Sequence, residues 1–193
     1  MIKSNEISFI AVESTSTSAF YPGEKDASNF IDGINCHIFD VEEGTLGKAT
    51  LSLFKIEDAI FGGLNGYNLF DLFDSVSSYT YQLHEAFKDM IADTERCEGA
   101  YSLNILSLDK ITIEPKWRGK GVLALFVGWL HWNFKDRAPL VLLKAYPLES
   151  DEATFEADSA KLIAHYEKHG FTRLADDSPY LWLDLNRMQD QDK

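Results

Sequence analysis

The segment Arg118-Gly119-Lys120-Gly121-Val122 is the densest chemical signal in the sequence, and it lies between a predicted strand and a predicted helix. Two glycines separated by one residue let the backbone turn tightly and bring bare N–H groups against a ligand. The helix that follows adds about half a positive charge at its N-terminus. This loop is therefore suited to binding an anion such as a pyrophosphate, and an ordinary tight strand–helix turn is the alternative. It matches neither GxGxxG nor GxxxxGK[ST], which argues against a dinucleotide fold and a nucleotide-hydrolysing loop.

Other reactive side chains are poorly arranged for chemistry. His165 and His169 stand four residues apart on one predicted helix, a spacing that can hold a metal, but no HExxH pattern accompanies them. We interpret them as solvated or capping histidines and expect no metal. Ser14–Ser18 contains no G-x-S-x-G elbow, and neither cysteine lies in a nucleophile motif, so a serine or cysteine hydrolase is unsupported.

The strand before the loop has a change of phase. Leu106 and Leu108 share one face, whereas Ile111 and Ile113 have the opposite parity. One extra residue near Asp109–Lys110 would restore a single buried face. The sequence therefore predicts a β-bulge at that point.

The other elements follow from apolar spacing and from turn residues. In the first half we predict a strand over Ile7–Val12, a turn-rich segment with a short helix near Glu24–Ile31, strands over Cys36–Val41 and Ala49–Ile56 joined at Glu43-Gly44, and a helix over Leu69–Ile91. In the second half we predict a strand over Asn104–Ile113 closed by Pro115, a helix over Gly121–Phe134, a buried strand over Leu140–Leu143, a helix from about Thr154 to His169 ended by Gly170, and a strand over Tyr180–Leu185. Aromatic residues on the first and second long helices fall at core spacing, which indicates packing. The order predicts a mixed α/β sheet layered with helices.

Composition limits the class of protein. The 193 residues suit one domain, and 45% hydrophobic content can fill its core, which excludes disorder as the overall state. No apolar run is long enough to span a membrane, and no signal peptide is evident, so we expect a soluble, unprocessed, cytoplasmic protein. Cys36 and Cys97 are too sparse for a disulfide framework or a zinc site and are expected to be buried free thiols. The net charge of −13 makes nucleic acid an unlikely partner, and it suits either a cationic amine or plain solubility.

Two motifs in the second half carry a resemblance to a known family. Arg118, Gly121 and Leu123 stand at the spacing of an Arg-x-x-Gly-x-x loop, and Tyr166–Phe171 reads Tyr-Glu-Lys-x-Gly-Phe. Together with the bulged strand before them and the buried strand between them, they strongly resemble the GNAT N-acetyltransferase superfamily. The resemblance spans about residues 104–186, under half of the chain.

The match has three departures. The family's loop signature runs Arg/Gln-x-x-Gly-x-Gly/Ala, and Leu123 at its last place would crowd a pyrophosphate unless a small shift brings the following alanine there. Ser159 stands where the family often has asparagine. Family members also usually place two helices between their first two strands, whereas the long helix here follows the third predicted strand. That region shapes the acceptor cleft in the family, so the acceptor is not readable.

The resemblance implies an α/β fold of the α+β kind, with a mixed, largely antiparallel central sheet, a bulged and splayed strand pair, and helices on both faces. It also implies acetyl-CoA as the acyl donor. Open backbone groups of the splayed strands would bind its pantetheine arm and acetyl carbonyl, and the loop would hold its pyrophosphate. The implied cofactor-binding residues are Ile111, Thr112, Ile113, Arg118, Gly119, Lys120, Gly121, Val122, Leu123 and Ser159.

The implied reaction is direct attack of a primary amine on the thioester. Tyr166 resembles the family's general acid, and a phenol with an ordinary pKa near 10 can protonate a thiolate; packing on the sheet is its alternative role. Asp109 at the bulge is the first candidate for the base, although an aspartate of ordinary pKa is weak for this purpose without burial or a relaying water. Glu114 past the strand end is the second, and an amine that arrives neutral or a bound water are further alternatives. Lys144 and Tyr146 border the expected cleft as substrate contacts.

Two other functions stay open. A non-catalytic acyl-CoA-binding or sensor module would be consistent with Leu123 and with the uncertain base. An acidic protein that binds a basic partner or mimics DNA is supported by the net charge alone. The sequence also leaves a homodimer open.

Overall fold

The structure is a computed structural model that describes residues 10–18, 27–61, 69–74, 77–92 and 103–188. Its strands are β1 (Ala11–Ser18), β2 (Ile31–Asp40), β3 (Gly44–Phe54), β4 (Ile105–Ile113), β5 (Leu140–Lys144), β6 (Thr172–Arg173) and β7 (Tyr180–Asp184). Its α-helices are α1 (Ile56–Phe61), α2 (Leu69–Asp74), α3 (Ser78–Ala92), α4 (Val122–Phe134) and α5 (Phe155–Glu167). Short 3-10 helices cover Ala27–Phe30, Pro115–Trp117 and Leu185–Arg187.

All of these strands belong to one sheet, in the order β1-β2-β3-β4-β5-β7-β6. Among the described strands β4 and β5 run parallel, and the other neighbouring pairs are antiparallel. The predicted mixed, largely antiparallel sheet is therefore confirmed.

Helices cover both faces of the sheet, because alternate strand residues feed two separate cores. On one face Leu51, Leu106 and Val141 pack in a cluster that includes buried residues of α4 and α5. On the other face Phe54 and Leu142 pack with buried residues of α1, α2 and α3. We call these the α4/α5 face and the α3 face.

The bulge in β4 is confirmed. In the pairing of β3 with β4, Leu51 lies opposite Leu108 and Thr50 lies opposite Lys110, so Asp109 is the extra residue. The α4/α5 face is thereby kept apolar on both sides of the bulge, since Leu108 and Ile111 both pack there.

The pair β4 and β5 is splayed. Their register runs from Ile105 opposite Leu140 to Ser107 opposite Leu142 and ends there, although both strands continue. The two strands therefore separate toward their C-terminal ends. We call the space between them the wedge, its apex lying just past Ser107.

The predicted helix over Leu69–Ile91 is wrong as a single element, because the structure has α2 and α3 there. A new helix start explains the break. Ser77 Oγ accepts a hydrogen bond from the Thr80 N–H at 3.2 Å, and Thr80 Oγ1 accepts one from the Ser77 N–H at 3.1 Å. This reciprocal pair satisfies two backbone donors and caps α3.

The first half differs in its strand limits. β1 continues through the Ser/Thr-rich Ser14–Ser18, where the sequence predicts a turn-rich segment. Residues 7–9 of the predicted first strand lie outside the described residues. Polar residues suit this strand because it lies at the edge of the sheet. The hairpin of β2 and β3 is confirmed, with Gly44 at φ +77° after its turn.

Two further sequence expectations concern burial. Cys36 is a free thiol, 1% exposed, in the core of the α4/α5 face, while Cys97 lies outside the described residues. Within the described ranges no helix combines the length and the apolar character needed to cross a bilayer.

Candidate active site

The wedge presents backbone groups of β4 that no strand partner takes up. After the bulge Glu114 donates its N–H to Leu46 of the β3 side at 2.9 Å. Backbone groups alternate in direction along a strand. The N–H and C=O groups of Ile111 and Ile113 therefore point away from β3, toward the wedge. Thr112 lies opposite Lys48 of β3.

A tyrosine from α3 spans the apex of the wedge. The Tyr79 hydroxyl donates a hydrogen bond to the Leu108 carbonyl and accepts one from the Lys144 N–H, both at 3.2 Å. Burial raises the pKa of this phenol. Tyr79 therefore joins β4 to β5 at the point where their direct pairing has ended.

Asp109 lies at the centre of a small polar cluster on the α3 face. Ser52 Oγ of β3 donates to one carboxylate oxygen at 2.7 Å, and Ser107 Oγ donates to the other at 2.5 Å. Burial raises the pKa of Asp109, while the two serine hydrogen bonds act in the opposite direction. The carboxyl group is thus a stronger base than an exposed aspartate.

The two-glycine loop lies just past the open end of the wedge and enters α4. Gly119 and Gly121 have φ values of +73° and +85°, in the left-handed region that glycine tolerates best. No side chain caps α4 at Gly121. The N–H groups of its first turn, which have no intrahelical acceptor, are therefore available to an anion.

Lysines strengthen the positive charge at this loop. The ammonium groups of Lys116 and Lys120 lie 4.9 and 4.7 Å from the centre of the Trp117 ring. Cation–π contact at these distances favours positions close to the loop over free movement in solvent. The buried Trp117 ring thus acts as a platform for both charges.

Arg118 is held by an acidic side chain. Its two terminal nitrogens bind the carboxylate of Glu149 at 2.9 and 2.8 Å, and its Nε donates to the Ile113 carbonyl at 3.0 Å. The guanidinium lowers the pKa of Glu149. An anion bound at the loop would compete with Glu149 for Arg118.

Leu123 does not line the loop. Its side chain is 4% exposed and packs in the core of the α4/α5 face together with Val122. Its departure from the family signature is therefore accommodated by packing beneath the helix.

Helix α5 brings Tyr166 and Ser159 to the α4/α5 face. Tyr166 is buried, and burial raises its pKa to about 12. Its ring contacts Phe171 edge-on at 5.4 Å. The Ser159 Oγ is buried and has no hydrogen-bond partner among the described residues. The Tyr166 phenol stays protonated throughout the physiological pH range, as a proton donor must.

The remaining predicted residues lie at the edge of this arrangement. Glu114 is exposed beyond the end of β4 and is not in contact with the cluster around Asp109. Lys144 Nζ donates to Gln82 of α3 at 2.9 Å. Tyr146 is 53% exposed and meets Phe155 edge-on, with ring centres 5.1 Å apart.

The histidine pair gains no metal partner from the fold. His165 and His169 have ring centres 4.9 Å apart, and burial lowers the pKa of each. Among the residues that the structure describes, no group of three or more His, Cys, Asp or Glu side chains is close enough to bind a metal ion.

Sequence reasoning missed Tyr79, Ser52, Ser107 and Glu149. The two serines had a detectable signal, since each is a small polar residue at a buried position between two leucines. Tyr79 had none, because its position also suits packing, the role predicted for the aromatic residues of Leu69–Ile91. Phe73 of α2 and Phe87 of α3 do pack and are fully buried.

No protein-family model matches the chain, and no curated protein sequence matches it. Solved structures do. Nourseothricin acetyltransferase matches at 14% identity over 86% of this chain and 70% of that chain, with a TM-score of 0.40. AtaTR bound with AcCoA matches at 11% identity and the KacTA–DNA complex at 16%, each over 92% of this chain and 94% of that chain, with TM-scores of 0.41.

Acetyltransferases are thus among the structures that this chain resembles. The mixed, largely antiparallel sheet, the bulge at Asp109 and the separation of β4 from β5 are features that the resemblance to the GNAT superfamily implies. The expected absence of nucleic-acid binding stays a prediction.

Proposed function

We propose that the protein transfers an acetyl group from acetyl-CoA to a primary amine. The observation that carries this proposal is the wedge between β4 and β5 with the two-glycine loop at its open end. An extended ligand that ends in a pyrophosphate can lie along this path, its phosphates at the start of α4 and its amide groups against the backbone of Ile111 and the N–H of Ile113, whose carbonyl accepts from Arg118.

The donor supplies a thioester carbon that a neutral amine can attack. The chain supplies proton transfer from two sides of the wedge. Asp109 on the α3 face first accepts a proton from the ammonium form of the amine, and the neutral amine then forms the new C–N bond. Tyr166 on the α4/α5 face donates its proton to the sulfur as the C–S bond breaks, and its phenolate regains a proton from the nitrogen, so that a neutral amide and free CoA result.

The pKa shifts support these roles. A carboxyl group whose pKa is raised by burial accepts a proton from an ammonium more readily than an ordinary aspartate does. The Tyr166 phenol, whose burial raises its pKa to about 12, is protonated before the reaction but is a weaker acid than an exposed tyrosine. Glu114, exposed at the mouth of the wedge, is a weaker candidate for the base because its carboxylate lies in solvent beyond the end of β4.

Calorimetric titration with acetyl-CoA, CoA and ATP tests the donor site. We expect acetyl-CoA and CoA to bind with micromolar affinity, about −8 kcal/mol, and ATP not to bind. A panel of amines is then assayed for loss of the thioester. Absence of binding by either CoA compound would overturn the proposal, and binding without turnover of any amine would favour the non-catalytic acyl-CoA-binding module.

A further inference from the structure

Tyr79 takes the position of a missing strand hydrogen bond. The β4–β5 register ends with Ser107 opposite Leu142, so its next step would pair Leu108 with Leu143. In a regular parallel pair, the hydrogen bond at that step would run from the N–H of Lys144 to the carbonyl of Leu108. These are the two groups that the Tyr79 hydroxyl binds, each at 3.2 Å.

The hydroxyl therefore stands between the strands as an inserted link. A direct bond would bring the two backbone groups to about 2.9 Å, whereas two bonds through one oxygen hold them farther apart. Both groups stay satisfied, which removes the cost of leaving buried backbone polar atoms unpaired. The apex of the wedge is thus both held open and filled by one side chain.

The direction of a bound donor follows from the proposed function, on which this inference rests. The loop that would hold the pyrophosphate lies beyond Ile113, at the open end of the wedge. Leu108 lies five residues back along β4, about 16 Å at the usual rise of a strand. A donor extended along the strand therefore points its acyl group toward Tyr79.

We propose that Tyr79 is the specificity-determining residue that limits the acyl group to a short chain. Its hydroxyl and ring end the wedge, so an acyl chain longer than acetyl meets a side chain that is fixed by two backbone hydrogen bonds. Asp109 and Ser107 lie beside it and carry polar atoms that an apolar chain would desolvate. The end of the wedge is therefore both closed and polar.

The test compares affinities for CoA, acetyl-CoA, butyryl-CoA and hexanoyl-CoA by calorimetry. The variants are Tyr79→Ala and Tyr79→Leu; leucine keeps an apolar contact with the core of the α3 face but is too short to reach β4. The matched control is Tyr81→Leu, two positions along the same helix and about 200° around its axis. Thermal melts establish that each variant is folded.

We expect the natural chain and Tyr81→Leu to bind butyryl-CoA at least roughly tenfold more weakly than acetyl-CoA, the discrimination that a closed pocket makes against added methylenes. Tyr79→Ala and Tyr79→Leu should bind acetyl-CoA, butyryl-CoA and hexanoyl-CoA with equal affinity. Equal affinities in the natural chain, or an unchanged ratio in both folded Tyr79 variants, would overturn the inference while CoA binding continued to support the donor site. Loss of binding to CoA itself in the natural chain would overturn both.

Discussion

The two ionisable side chains proposed for catalysis lie on opposite faces of the sheet, and burial acts on both in the same direction. It raises the pKa of Asp109 and of Tyr166. For the carboxyl group this makes a better base. The phenol, which is protonated at neutral pH in any case, becomes a weaker acid, so proton donation by Tyr166 depends on the negative charge that develops on the departing sulfur.

Replacing Tyr166 with phenylalanine should lower kcat roughly 10²- to 10⁴-fold, because the departing sulfur loses its proton donor. The Kd for acetyl-CoA should change little, since the ring and its contact with Phe171 are retained. Steady-state kinetics and calorimetry separate the two quantities. Full activity in the variant would assign Tyr166 to packing alone.

Replacing Asp109 with asparagine should reduce kcat/KM most at low pH, where the amine is largely protonated and needs a base. The deficit should shrink as the pH approaches the pKa of the amine, because more of the amine is then neutral. Rate profiles of both proteins across pH give the ratio. A ratio that does not vary with pH would exclude Asp109 as the base.

The same substitution has a stability signature that does not depend on catalysis. A carboxyl group whose pKa is raised on folding stabilises the fold below its unfolded pKa, near 3.8, and this contribution is lost as the pH rises through the folded pKa. Asparagine does not titrate. The free energy of unfolding of Asp109→Asn should therefore increase relative to the natural chain over that window and then level off, as urea titrations at several pH values would show.

Replacing Glu149 with glutamine should strengthen CoA binding about two- to fivefold, the range expected when an exposed ion pair no longer competes for Arg118. Glu152→Gln removes an equal charge from an exposed position nearby and should have a smaller effect. Calorimetry at fixed salt compares the two. Weaker binding in Glu149→Gln would mean that the carboxylate orients Arg118 toward the anion.

At the scale of elements, the first turn of α4 and its glycines form the anion site. Gly121→Ala should weaken CoA binding by roughly tenfold, since a φ of +85° strains alanine and relief of that strain displaces the N–H groups. Gly128→Ala, inside the same helix and with open space at its Cβ, should instead stabilise the fold by about 0.5–1 kcal/mol. Equal CoA affinity in the two variants would remove the loop from the proposed site.

Elements were predictable where the local pattern of apolar and polar residues depends directly on the backbone geometry. The bulge at Asp109 was predictable because an inserted residue reverses the alternation of apolar side chains in β4. The break between α2 and α3 was not, because both helices keep the same apolar spacing. The cap that separates them, Ser77 with Thr80, differs from the usual pattern that ends in glutamate or glutamine.

The polar parts of the site were less predictable, since they depend on which elements meet. Ser52, Ser107 and Asp109 come from two strands, and only their register brings them together. Tyr79 comes from a helix that follows the third strand, and neither its type nor its spacing indicates that its hydroxyl would link β4 to β5. Long-range pairing determines such contacts, whereas local periodicity determines the elements.

At the scale of the whole molecule, a net charge of −13 surrounds a loop in which three of five residues, 116–120, are basic. The general field favours a cationic amine and disfavours an anionic donor, so the loop must supply the attraction for phosphate locally. Lys116 and Lys120 on the Trp117 ring provide it. The charge pattern thus suits a cationic amine as acceptor and an anionic, phosphate-bearing acyl donor.

A thiol in the core reports on the whole fold. Cys36 is 1% exposed on β2, and burial raises its pKa to about 11, so it is both inaccessible and largely protonated at neutral pH. In a Cys97→Ser background a thiol reagent should not label the native protein and should label one site in denaturant. The labelling rate should then follow the equilibrium between folded and open forms, falling as the free energy of unfolding rises. Rapid labelling of the native protein would contradict the packing of β2 against α4 and α5.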